Sequence, residues 1–141
     1  MEKNGLNHLL CHADSIDLVW PSVVKYVQAA VNRCGLPEFL LYDAYKDVKE
    51  NRAELWVFHD ENRVWGIVIG RMRTYNEYPL YELYVTAGDE MHRWTDKIVV
   101  IEEHARERGA LRLDIYGRRG WLKVFKDQNF RELFTTIGKE L

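Results

Sequence analysis

Two stretches decide the fold of this chain: Leu55-Trp56-Val57-Phe58 and, after the polar run Asp60-Glu61-Asn62-Arg63, Val64-Trp65-Gly66-Ile67-Val68-Ile69. Both are β-prone and apolar on both faces, and the polar run between them is a turn signal, so they read as a hairpin. Strands of this kind need cover on both sides. A loop with Asn76 and Pro79 then leads to a third strand, Leu80 to Thr86. Gly66 and Gly70, in or at the end of the returning strand, signal a bulge or a close backbone approach.

The flanking segments supply the cover. His8 to Ala13 reads as a first strand. Asp17 reads as a helix N-cap with Pro21 in the first turn. Trp20, Val24, Val27, Val31 and Cys34 then recur at helical spacing up to Gly35, a C-terminal stop. Pro37 opens a second helix with Leu41, Ala44, Tyr45 and Val48 on one face. Beyond the hairpin region, Trp94, Ile98, Ile101 and Ala105 mark a helix from about Arg93 to Arg108 with a charged outer face, ended by Gly109. Leu111, Leu113 and Ile115 alternate with Arg112 and Asp114, a strand. Gly117 to Gly120 turns into a short helix, Trp121 to Asp127, and Arg131 to Ile137 reads as a last strand. The fold class is α/β (α+β): a mixed, mostly antiparallel sheet flanked by helices. Without repeats or linkers, residues 1–141 read as one domain.

Composition narrows the function. Lys and Arg number 20 against 22 Asp and Glu, so no basic excess exists to displace counterions from nucleic acid. No apolar run approaches the roughly 20 residues that cross a bilayer. Met1 to Asn7 is polar and reads as no secretory signal. Cys11 and Cys34 read as two buried thiols in a reducing compartment, which places the protein in the cytoplasm. The histidines His8, His12, His59, His92 and His104 have no metal-ligand spacing, so no metal is expected. No nucleophile elbow, Walker loop or dinucleotide fingerprint occurs.

The chemistry-bearing residues gather around the strand Leu80-Tyr81-Glu82-Leu83-Tyr84-Val85. Glu82 has two readings. It is a desolvated carboxylate whose pKa rises toward the range of a general base, or it faces solvent or pairs across strands with Arg71 or Arg73. Tyr75, Tyr78, Tyr81, Tyr84 and Trp94 also have two readings, as sheet core with rim tyrosines or as an acceptor groove or protein interface.

The order of elements, over nearly the whole chain, resembles the GNAT (Gcn5-related N-acetyltransferase) superfamily. Leu55 to Phe58 and Val64 to Val68 look like its second and third strands, and Leu80 to Thr86 like its fourth. The helix before Gly109-Ala110-Leu111-Arg112-Leu113 looks like its central helix and fifth strand. Gly117-Arg118-Arg119-Gly120-Trp121 and Asp127-Gln128-Asn129-Phe130 look like its C-terminal helix and the following turn. The overall flavour is that of small bacteriophage-encoded GNAT-like proteins, including internal virion proteins.

The resemblance implies an acyl-CoA-dependent N-acetyltransferase acting on an amine. Acetyl-CoA would lie where the fourth and fifth strands part, with the pantetheine arm on backbone from Leu83 to Val85. The diphosphate would lie on N–H groups from Gly88 onward, with Arg93 and Arg118 as cations. Glu82 would be the base and Tyr116 the nearest phenol to act as acid. The family's Gln/Arg-x-x-Gly-x-Gly/Ala loop corresponds to Val85 to Trp94, where Gly88 is the one glycine. Asp89 and Glu90 there either oppose phosphate or cap the helix. The family's acid lies four residues before a Gly-Phe pair. Here Asn129-Phe130 stands in that place, and Phe125, without a hydroxyl, lies four residues earlier. These departures imply the alternative of a non-catalytic GNAT-fold protein acting by contact, as a virion component or a modulator of a host protein, in the host cytoplasm or the virion.

Overall fold

The computed structural model describes residues 6–38, 40–117 and 119–141. Strands β1 (Asn7–Cys11), β2 (Glu54–His59), β3 (Val64–Tyr75), β4 (Tyr78–Gly88) and β5 (Leu113–Ile115) form one sheet in the order β1-β2-β3-β4-β5. The first four pair antiparallel, and β5 runs parallel to β4. The helices are α1 (Ile16–Cys34), α2 (Leu41–Lys49), α3 (Ile98–Glu107) and α4 (Gly120–Val124).

Strand alternation explains the two layers. In β2, Leu55 and Val57 join Val23, Val27, Ala44 and Val48 of α1 and α2, while Trp56 and Phe58 join Ile98, Ile101 and Ala105 of α3. Both faces of the hairpin are covered, as its double-sided apolar pattern requires.

The β3–β4 hairpin is longer than the sequence suggests. Asn76 (φ 50°) and Glu77 (φ 67°) form its two-residue turn, both left-handed, as a type I′ turn demands. Glutamate is unusual at such a position and hides the turn.

β4 carries a bulge. Ile69 pairs with Val85 and Gly70 with Leu83, leaving Tyr84 as an extra residue. Tyr81 and Leu83 therefore pack on the α3 side, while Val85 and Ala87 pack on the α1 side with Tyr84.

Several boundaries differ from expectation. Pro37 lies in a turn, and α2 opens only at Leu41. Asp17 does not cap α1; its carboxylate accepts from Tyr45 (2.5 Å) and Lys49 (2.6 Å) of α2. The central helix begins at Ile98, after two 3₁₀ turns, Met91–Arg93 and Thr95–Lys97. Residues 131–137 form no strand. Leu133 and Phe134 are adjacent, so no pleat buries both on one face, and Phe130 holds the tail against Phe125 at 5.2 Å between ring centroids. Cys11 is buried, but Cys34 is exposed at the end of α1. Among the described residues no helix is long and apolar enough to cross a membrane.

Candidate functional site

β4 and β5 pair over three positions only, Tyr81 with Leu113, Glu82 with Asp114 and Leu83 with Ile115. The Tyr116 amide closes the pair by donating to the Leu83 carbonyl at 2.9 Å. The chain then turns away through Gly117 into α4, while β4 continues to Gly88. A groove of about 890 Å³ opens where they part. Its walls are Tyr84 to Thr86 of β4, all of β5, the last turn of α1, part of α2, α4 and the tail from Asn129 to Thr136.

Tyr116 lines this groove, whereas Glu82 lies behind it. The Glu82 side chain is 1% exposed. Its Oε2 accepts from the Tyr116 hydroxyl at 2.5 Å and from the Tyr75 hydroxyl at 3.0 Å, and its Oε1 accepts from Arg71 Nε at 3.0 Å. Burial pushes the carboxyl pKa up, but the hydrogen bonds from Tyr116, Arg71 and Tyr75 outweigh it and leave Glu82 below its ordinary value. The expected rise toward a general-base range is thus reversed. Glu82 is both the buried carboxylate and the cross-strand partner of Arg71. Tyr116 shifts the other way: burial, then the Glu82 carboxylate, push its phenol up and keep it protonated.

The network extends along the same face of the sheet. The Arg71 guanidinium lies 4.1 Å over the Tyr84 ring, and the Tyr84 hydroxyl donates to Asp47 Oδ2 of α2 at 2.8 Å. Arg112 holds Asp114 with two hydrogen bonds, at 2.6 and 3.0 Å. Thr86, next to the bulge, lines the groove, and its buried Oγ1 has no hydrogen-bond partner among the described residues.

The turn after β4 is built differently from expectation. Gly88 faces Gly66 across the hairpin, and a Cβ on it would stand 2.5 Å from the Trp65 carbonyl oxygen and 2.8 Å from Trp94. Its missing side chain therefore serves the packing of the buried Trp94, which stacks on Phe58 at 5.4 Å. The Asp89 amide donates to the Trp65 carbonyl at 2.8 Å. The Asp89 carboxylate accepts from Tyr26 at 2.9 Å and from Arg63, and those two donors hold its pKa below the ordinary value. Asp89 thus does not cap the helix, and Glu90, in a left-handed conformation, makes no side-chain cap either. The amides of Arg93, Trp94 and Lys97 donate to the carbonyls of Glu90, Met91 and Trp94. Arg93 lies 4.0 Å over the Trp65 ring and 4.0 Å from Asp60.

Of the residues singled out from sequence, Glu82, Leu83, Val85 and Tyr116 gather where the strands part. Gly88 and Arg93 belong to the packing around Trp94 and Trp65. Arg118 lies outside the described residues. Phe125 is fully buried. The tyrosines do not form one cluster: Tyr81 and Trp94 are core on the α3 side, Tyr84 packs on the α1 side, and Tyr75 and Tyr78 are rim. Sequence reading missed Thr86, Tyr26 and Arg63. Only the β4 pairing marks Thr86, and nothing local marks Tyr26 or Arg63, which meet Asp89 from distant elements.

Solved structures with the same architecture are numerous. An aminoglycoside acetyltransferase from an uncultured soil metagenomic sample, in complex with trehalose, superposes with a TM-score of 0.71 at 15% identity, covering 99% of this chain and 98% of that one. The fold is the acetyltransferase fold. A ribosomal-protein-alanine N-acetyltransferase from Brucella melitensis gives 0.67 at 17% identity, over 96% of this chain and 99% of that one. A predicted acetyltransferase from Clostridium acetobutylicum, solved with acetyl-CoA, gives 0.68 at 10% identity, over 96% of each. No protein-family model matches the chain, and no curated protein does.

Acetyl-CoA, which the Clostridium acetobutylicum structure holds, has an arm and a diphosphate-bearing head. The residues fit the arm: a strand edge beyond Leu83, a groove beside it, and the unpartnered Thr86 hydroxyl. They do not fit a diphosphate in the turn after β4, where Trp94 and the Trp65 backbone crowd Gly88 and a carboxylate already holds Arg63.

Proposed function

We propose that this protein transfers an acyl group from a thioester on a pantetheine arm, as in acetyl-CoA, to an amine. The observation that carries this reading is the parting of β4 and β5 just beyond Leu83 and Ile115, with Tyr116 lining the groove so formed. Val85 and Thr86 would hold the arm along the β4 edge. The thioester, when bound, supplies the activated acyl group. Tyr116 keeps its proton at neutral pH and holds it on Glu82 Oε2 until the leaving thiolate takes it. Glu82 acts through Tyr116 as a positioning residue: its buried carboxylate, fixed by Arg71 and Tyr75, sets where the phenol points. Asp43 lines the groove on the α2 side, where it favours a cationic amine. The amine loses one proton to solvent before it attacks, and the proton its nitrogen sheds on forming the amide restores the one Tyr116 gives to the thiolate. A thiol of pKa near 8.5 leaves with little help, so an acid of modest strength suffices.

Similar structures support the reading, one named for aminoglycosides and one for a ribosomal-protein alanine. The test is thermal unfolding with acetyl-CoA, where a ligand at 100 times its dissociation constant adds about 2.7 kcal/mol. Absence of any shift at millimolar acetyl-CoA overturns the proposal.

One observation favours a second reading, a GNAT-fold protein of bacteriophage type acting by contact with a host or virion protein. The turn after β4 is closed on itself, with Asp89 tied to Tyr26 and Arg63. Acyl transfer to any simple amine that Tyr116→Phe reduces decides against it.

A further inference from the structure

Three observations bear on which thioester the groove takes. The turn after β4 is filled: Trp94 is fully buried under Gly66 and Gly88, and Cβ atoms at these two positions would stand 2.4 and 2.8 Å from its ring. Its charges are also in use. Arg63 holds the Asp89 carboxylate, and Arg93 lies over Trp65 beside Asp60. An incoming diphosphate would displace one carboxylate and face another.

The groove itself offers no compensating field. Five arginines and five carboxylates are among its described walls. Three of those arginines already have carboxylate partners: Arg71 with Glu82, Arg112 with Asp114, and Arg119 with Glu132 at 3.0 Å. A balanced wall attracts a multiply charged anion no better than bulk solvent does.

The polar group without a partner lies along the arm instead. Thr86 is more than nine-tenths buried, lines the groove, and leaves Oγ1 without a hydrogen bond among the described residues. Rotation about χ1 exchanges its hydroxyl and methyl groups in nearly the same volume. The hydroxyl can then meet an amide lying against β4, and an amide is what a pantetheine arm carries.

We infer that the acyl donor is recognised through its pantetheine arm, with Thr86 as a polar contact, and that the diphosphate contributes little. The substrate class is a pantetheine thioester whatever its head, free, nucleotide-bearing or protein-borne. This rests on the acyl-transfer reading above.

The experiment is calorimetric titration of the full chain with S-acetylpantetheine and with acetyl-CoA, at about 0.05 and about 0.5 M salt. Two charge-assisted hydrogen bonds to a diphosphate would tighten binding about 100-fold. The expected result is affinities within about tenfold of each other, little changed by salt, and both weakened several-fold by Thr86→Val. Acetyl-CoA binding more than about tenfold tighter overturns the inference while leaving acyl transfer standing. Equal binding by the wild type and Thr86→Val removes the Thr86 contact. Failure of both ligands to bind overturns the acyl-transfer reading itself.

Discussion

The Tyr116 hydroxyl donates to Glu82 Oε2 over 2.5 Å, joining two strands at the point where they part. One group faces the groove and the other is sealed behind it, so the pair couples the open site to the sheet interior. Tyr116→Phe removes the only hydroxyl of that pair. Turnover is expected to fall about 100-fold with little change in KM for the thioester, measured by steady-state kinetics with acetyl-CoA and a simple amine. A parallel loss in KM would instead mean that Tyr116 binds the donor.

Glu82→Gln keeps the shape and removes the charge. Arg71 then loses its buried partner, at a cost of about 3 kcal/mol in urea unfolding. Stability should also lose part of its pH dependence. The folded pKa of Glu82 lies below its ordinary 4.5, so the unfolded chain binds the extra proton. Glu82 therefore stabilises the fold above that value, and its contribution is lost as pH falls through the folded pKa. Unfolding curves between about pH 2 and 6 should show a shallower acid limb in Glu82→Gln than in the wild type.

Thr86→Val replaces a buried hydroxyl lacking a partner by a methyl of similar size. The ligand-free protein should gain about 1 kcal/mol, read as a higher midpoint in denaturant at unchanged slope. A loss of stability would show that the hydroxyl is satisfied in solution.

Gly66→Ala places a Cβ 2.4 Å from the Trp94 ring and should cost about 3 kcal/mol. Trp94→Leu alone should cost about as much through the cavity it leaves. Combined, the two should cost about 1–3 kcal/mol less than their sum, because the smaller side chain makes room for the methyl. Strict additivity would mean that the glycine serves something other than the indole.

Much of this was legible in the sequence, for reasons particular residues make clear. Leu55 to Phe58 and Val64 to Ile69 showed their strand character because both faces are buried. Gly66 and Gly70 announced close contacts that Trp94 and Tyr81 make. Asn129 does take the left-handed conformation its type suggests, at φ 65°. The turn after β4 was not legible, since Asp89 is fixed by Tyr26 of α1 and Arg63 of the β2–β3 turn, and such partners are set by tertiary packing alone. The direction of the Glu82 shift was equally hidden. Its burial could be guessed from apolar neighbours, but three donors converging on one carboxylate could not. The tail from Arg131 misled because β-prone residues need a pleat that buries them, and Leu133-Phe134 offers none.

The bulge at Tyr84 has a consequence for how β4 tolerates change in length. It is a phase switch: odd-numbered positions face α3 up to Leu83 and α1 from Val85 onward. Deleting Tyr84 would restore an uninterrupted pleat in which Leu83 still faces α3 and Val85 and Ala87 still face α1. Thr86 would keep its side of the sheet. A one-residue deletion here would therefore spare the inside of both cores and cost only the bulge and the contacts of Tyr84 with Arg71 and Asp47.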